Sequence, residues 1–123
     1  MKRGLLLVAS LCFAVGLSAG QAFSVETVEI QVAPQTMLLS SVQSGEVTVH
    51  VDIAYSVVVE STIFMNGIAV SWTKADDCGN LVAKFDEEAV KGVLEVPSTT
   101  LTLSGTTTAG VDFAGSDTVK VKP

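Results

Sequence analysis

Two residues, Asn66 and Gly67, constrain this chain most tightly. They stand between Ser61-Thr62-Ile63-Phe64-Met65 and Ile68-Ala69-Val70-Ser71-Trp72. Asn-Gly between two such runs closes a β-hairpin. Both central positions of a type I′ turn need φ > 0, which Gly adopts without cost and Asn tolerates, and this turn matches the twist of the flanking strands. A two-residue loop fixes the register, so Met65 faces Ile68, Phe64 faces Ala69 and Ile63 faces Val70. Alternation then puts Ile63, Met65, Ile68, Val70 and Trp72 on one face, with Phe64, Ala69 and Ser71 on the other. The first set reads as core, ended by Trp72, the single tryptophan. Such a face needs a second layer to cover it.

The rest of the chain supplies that layer. Val25 to Val32 alternates as a strand, with Val28, Ile30 and Val32 inward, until Pro34 breaks it. Met37-Leu38-Leu39 is a short apolar run before a polar turn. Glu46 to Ala54 is the most regular strand, with Val47, Val49, Val51 and Ile53 on one side and Thr48, His50 and Asp52 on the other. Val57-Val58-Val59 reads either as a strand or as an extended crossing between sheets. Lys74 to Asn80 is a polar loop, and Leu81 to Phe85 a strand with Leu81, Ala83 and Phe85 inward. Asp86 to Gly92 carries the one helical signal: an N-cap, Glu87 and Glu88 in the first turn, Lys91 and Gly92 at the end. It is too short to stand alone and is expected to be pinned by Ala89, Val90 and Val93. Thr100 to Leu103 places Leu101 and Leu103 inward, ahead of a Thr-rich turn over Gly105 to Gly110. Val111 to Phe113 and Thr118 to Val121 read as two closing strands separated by a turn at Gly115-Ser116-Asp117. About seven to nine short strands at this spacing, with no βαβ alternation, predict an all-β antiparallel sandwich with one helical turn near 86–92.

Residues 1–22 read as a cleavable signal segment. Met1-Lys2-Arg3 is the positive start, Gly4 to Leu17 the apolar stretch, and small residues permit cleavage after Gly20 or Ala22. The expected domain is 23–123, about 100 residues, enough for one modest core. It holds five lysines (Lys74, Lys84, Lys91, Lys120 and Lys122) and no arginine against 13 acidic residues, a net charge of −8. That balance argues against nucleic acid, which needs a basic face, and against docking on anionic lipid once the segment is removed. Cys12 would leave with the segment. Cys78 would then be alone, open to an intermolecular disulfide in an oxidising compartment.

The order of short motifs resembles an Ig-like accessory module found in secreted and cell-surface proteins of bacteria and archaea. The resemblance runs through Ile30-Gln31-Val32-Ala33-Pro34 with Met37-Leu38-Leu39, Ser61 to Gly67, Leu81 to Asp86, Leu101 to Gly105, and Phe113 to Val121. It implies an Ig-like sandwich and an exported location, and no particular chemistry. Relatives of this kind often carry Asp-x-Asp-x-Asp-Gly before the strand matched here by Leu81 to Phe85, a spacing that feeds alternate carboxylates to Ca²⁺. This chain has Asp76-Asp77-Cys78-Gly79-Asn80 instead. Adjacent carboxylates do not converge on one cage, so the expectation is at most a low-affinity calcium site using Asp76, Asp77 and Asn80.

Candidate chemistry is sparse. His50 is the only histidine, so any Ser–His or Cys–His pair must use it. Thr48 and Asp52 share its face, yet three residues on a half-exposed sheet are ordinary. Zinc needs more His and Cys ligands than this, and Glu87-Glu88 diverge around their helix. Tyr55, Phe64 and Trp72 are the aromatics available for a ligand or partner surface. The reading is a non-enzymatic, cofactor-free structural or protein-interaction module of the envelope or extracellular space, with an unidentified protein partner. The alternative is an accessory module binding a glycan or a divalent cation.

Overall fold

The computed structural model describes residues 25–40 and 45–123, so the expected signal segment lies outside the described residues. Ten strands form two sheets facing each other. They are β1 (Glu26–Thr27), β2 (Ile30–Ala33), β3 (Thr36–Leu38), β4 (Glu46–Ala54), β5 (Val58–Met65), β6 (Ile68–Ala69), β7 (Trp72–Ala75), β8 (Asn80–Asp86), β9 (Ser98–Thr107) and β10 (Asp112–Lys122). The first sheet runs β1-β10-β9-β5-β6, with β3 also beside β10; the second runs β2-β4-β8-β7. β1 and β3 both lie parallel to β10, and every other pairing is antiparallel. The all-β sandwich expected from the alternation is what the chain forms.

Local signals act as expected where the structure is local. β4 spans the predicted strand and buries Val47, Val49 and Val51. Asn66 (φ 49) and Gly67 (φ 85) make the left-handed turn, pairing Met65 with Ile68 and Phe64 with Ala69. The turn is locked from outside: Asn66 Oδ1 accepts the Thr102 amide at 2.8 Å and Asn66 Nδ2 donates to the Thr100 carbonyl at 3.3 Å. Helix α1 (Glu87–Lys91) is capped by the Asp86 carboxylate, which accepts the Ala89 amide at 3.1 Å. Its anchors are Val90 and Leu94, with Val93 half-buried; Ala89 is exposed, a correction to the expected contact. Of Val57 to Val59, Val58 and Val59 open strand β5, while Val57 ends the crossing: a 3-10 turn at Tyr55–Val57 lifts the chain from β4 in the second sheet to β5 in the first.

Three expectations fail where the chain changes sheets. Trp72 is 41% exposed and Val70 only half-buried, so Trp72 does not end the core face. The hairpin ladder runs out after the Val70 amide, which donates to the Ile63 carbonyl at 3.1 Å as the register predicts. The Ser71 amide then donates to Lys84 of the second sheet at 2.8 Å, and β7 starts a new alternation with Trp72 opposite Lys84 on the outer side. Phe85 and Phe113 are the aromatic centre of the core, joined by Ile63, Met65, Leu81, Leu101 and Leu103, all fully buried. Each such side chain contributes about 1.5–3 kcal/mol by leaving water.

Val25 to Val32 is not one strand. The Val28 amide donates to the Ala114 carbonyl of the first sheet at 3.0 Å, while the next residue's carbonyl, Glu29, accepts the Asp52 amide of the second sheet at 2.9 Å. The chain therefore switches sheets between β1 and β2. Nor is Gly115 a turn, since β10 continues through it without a break. Gly115 is where the switching segment crosses β10. A Cβ there would lie 2.4 Å from the Val28 carbonyl oxygen and 2.8 Å from Ile30 Cγ2. Gly105 serves Phe113, its cross-strand partner, whose ring a Cβ would meet at 2.7 Å.

This geometry separates two kinds of glycine. Gly115→Ala is expected to destabilise by about 3 kcal/mol, the upper end for overpacking, because backbone rather than a flexible side chain must move. Gly110→Ala, at φ 82 with nothing within 4 Å, should cost only about 1–2 kcal/mol for its left-handed backbone. Urea unfolding of the two variants compares them directly; equal costs would mean that Gly115 is a turn residue after all.

Candidate functional site

The sequence-predicted aromatics do not form one platform. Phe64 projects from the outer side of the first sheet, Trp72 from the outer side of the second, and Tyr55 sits at the 3-10 turn, where its amide donates to the Gly79 carbonyl at 2.8 Å. Trp72 is already engaged. Its indole Nε1 donates to Glu46 Oε2 at 2.6 Å, and Lys84 Nζ lies 5.7 Å from the ring centroid while donating to Thr48 Oγ1 at 2.8 Å. A lysine held over an indole in this way contributes about 0.5–1 kcal/mol at an exposed site. The cluster closes the outer side of β4, β7 and β8.

His50 and Asp52 are both exposed on β4, and no hydrogen bond joins them. The Asp52 carboxyl is held above the ordinary carboxylate range, first by loss of hydration and then by the nearby Glu29 carboxylate. His50 stands opposite Gln31 and Val82 in the sheet register. Val82 itself is buried on this outer side, a position that alternation alone would leave in water.

The loop expected to offer a cation site is a tight turn between β7 and β8. Asp76 Oδ1 accepts the amides of Cys78 at 2.8 Å and Asn80 at 2.9 Å. The Asp76 amide donates to the Asn80 carbonyl, the Gly79 amide donates back to the Asp76 carbonyl, and Gly79 supplies φ 82. One carboxylate oxygen of the proposed ligand set is thus spent on the backbone, which is what Asp at the start of a turn ordinarily does. No three His, Cys, Asp or Glu side chains converge among the described residues. Cys78 is disulfide-bonded, a correction to the lone thiol expected from the sequence. That expectation depended on removal of segment 1–22, which lies outside the described residues.

The most regular surface feature lies on two neighbouring strands of the first sheet and carries no sequence motif. On the outer side of the first sheet, Thr100, Thr102, Ser104 and Thr106 of β9 stand opposite Thr118, Ser116, Ala114 and Asp112 of β10. Thr100 and Thr118 hydroxyls are 2.9 Å apart, Thr102 and Ser116 hydroxyls 2.8 Å, and Thr106 Oγ1 donates to Asp112 Oδ1 at 2.9 Å. Between Asp112 and Lys120 these two rows carry hydroxyls and one alanine and no ionisable side chain. The signal was present in the sequence as polar residues alternating with Leu101 and Leu103. The outer side of the second sheet is different, with Glu46, His50, Asp52, Lys74 and Lys84 along it.

The chain matches no family of known proteins, no curated protein and no solved structure.

Two substitutions test these assignments. Asp76→Ala is expected to lower stability by about 1–2 kcal/mol, because two backbone amides lose a charged acceptor, and Asp76→Asn should restore most of it. Denaturant titration without added calcium reads both. For Asp52, a raised folded-state pKa favours the protonated form, so its contribution is fully present at low pH and is lost as pH rises through the folded value. Asp52→Asn should therefore raise the melting temperature at pH 7, with the gain vanishing at acid pH; a loss at pH 7 would contradict the assignment.

Proposed function

We propose that this chain is an exported, non-enzymatic interaction module with an Ig-like sandwich, and that it meets a protein partner through the outer side of β9 and β10. The observation that carries this reading is the contrast between the two outer sides. In a chain with 13 acidic residues, the two central hydroxyl rows hold no ionisable group between Asp112 and Lys120. A partner can approach them without the repulsion that the rest of the surface sets up. The Met1-Lys2-Arg3 start, with the apolar stretch behind it, supports export. His50 and Asp52 border one shallow depression with Glu29 and Asp76, yet no hydrogen bond joins them, and Glu87 and Glu88 stand outside it on α1; this supports the non-enzymatic reading, because acid–base and nucleophilic chemistry need such groups within hydrogen-bond reach.

A second reading, glycan binding, is favoured by one observation: exposed Tyr55 borders a crevice lined mainly by hydroxyl and aliphatic side chains. Its cation-binding counterpart loses force because Asp76 already serves the turn.

Capture from a native envelope fraction with the full chain as bait tests the first reading. Thr102→Glu with Ser116→Glu should abolish capture of the partner, while Lys74→Glu on the other sheet should leave it intact; because the two glutamates face each other across β9 and β10, a melting curve of the double variant checks that it remains folded. Equal capture by all three proteins would remove the β9–β10 surface from consideration. A hydrolase or transferase activity that disappears in His50→Ala would overturn the non-enzymatic reading.

A further inference from the structure

Where the open edge of β7 faces the start of β5, the two sheets part to leave a crevice of about 200 Å³ lined by Tyr55, Ser56, Val58, Glu60, Thr73 and Leu81. Thr73 lies in β7 opposite Ala83, which places its side chain between the sheets. Its Oγ1 is buried and has no hydrogen-bond partner. A buried hydroxyl without a partner costs about 1–3 kcal/mol, so such groups in folded proteins ordinarily meet water or a ligand. We infer that this crevice is a binding site for a single neutral sugar ring.

The size and the lining both point to that class. One water takes about 30 Å³, and a drug-sized ligand fills about 300–1,000 Å³; the crevice lies between, on the scale of one pyranose. Leu81 is fully buried and Val58 half-buried, giving an apolar floor. Tyr55 is 37% exposed, leaving ring surface for the C–H side of a sugar. The Glu60 carboxylate is exposed and can accept hydrogen bonds from two neighbouring hydroxyls of a sugar, while the Ser56 and Thr73 hydroxyls can each donate and accept. Glu60 and Tyr55 are the only titratable groups in the lining, and there is no basic side chain. An anionic ligand would meet Glu60 with no countercharge, and a divalent cation would find a single carboxylate. A polyhydroxyl ring pairs with Ser56 and Glu60 at the rim, and rotation of the Thr73 side chain brings its buried Oγ1 out to the same ring.

This inference rests on the glycan reading, and the experiment separates the two. The full chain, labelled with ¹⁵N, is titrated in turn with glucose, galactose and N-acetylglucosamine, and with methylammonium as the cationic probe. Saturable shifts of the Tyr55, Ser56, Glu60 and Thr73 amides are expected from at least one sugar, with a Kd on the order of 1 mM. Glu60→Gln and Tyr55→Ala, both at exposed positions, should each weaken binding about tenfold. Thr73→Val keeps the side-chain volume and removes the orphan hydroxyl, so it should raise the melting temperature of the free protein while weakening sugar binding. Sugar-induced shifts confined to the surroundings of Phe64 or Trp72 would overturn the crevice assignment and leave glycan binding standing. Shifts at the crevice with methylammonium alone, or no shift with any sugar, would overturn both, and a Thr73→Val protein that melts earlier would overturn the role given to its hydroxyl.

Discussion

The sandwich depends on one close approach, that of the Val28 carbonyl to Gly115. At that point the chain leaves β1, pairs no further with β10, and crosses to the other sheet as β2. Any side chain at 115 would hold the crossing segment off β10 and open the layer that Val28 and Val32 seal. The crossing is then fastened by Asp117, two residues further along β10. Its carboxylate Oδ2 accepts the Val32 amide at 2.9 Å and the Gln35 side-chain amide at 2.8 Å. An amide on the edge of the second sheet is thereby satisfied by a residue of the first. An edge strand that would otherwise present an open donor is covered at that point.

The two outer surfaces answer to different physics. On β9 and β10, hydroxyl pairs hydrogen-bond across strands, which neutralises polar groups without placing charge on the surface. On β4, β7 and β8, charge is arranged around an aromatic: Glu46 takes the indole N–H and Lys84 stacks over the ring. This second surface covers Val82, which alternation turns away from the main core and which is nonetheless buried.

How much of this could be read from the residues follows from how local each signal is. β4, the Asn66-Gly67 turn and the Asp86 cap are each specified within about ten residues, and each formed where expected. Sheet changes are not local. Val28, Ile30 and Val32 keep one unbroken alternation while the strand they belong to moves between layers, since both sheets face the same core. Trp72 fails for the converse reason: after Ala69 the alternation restarts in a new sheet, so counting across Val70 and Ser71 assigns the wrong side. Gly115 looks like a turn residue beside Ser116 and Asp117, and only the crossing of β1 into β2 explains it. The crevice was illegible because Tyr55, Glu60 and Thr73 come from three elements, and no spacing links a polar residue to a gap between sheets.

Parallel pairing of β1 and β3 with β10 has a mechanical consequence. Glu26 sits beside Phe113, whereas Lys122 ends β10 nine residues further on, so the two are separated by about 30 Å along the strand direction. Tension applied between those points runs along β10 and slides it past its two parallel neighbours. All the hydrogen bonds of those ladders then carry load at once, instead of opening one after another as in a peeled hairpin. Geometry of this kind lets a small sandwich resist extension when it is held in line between two attachments.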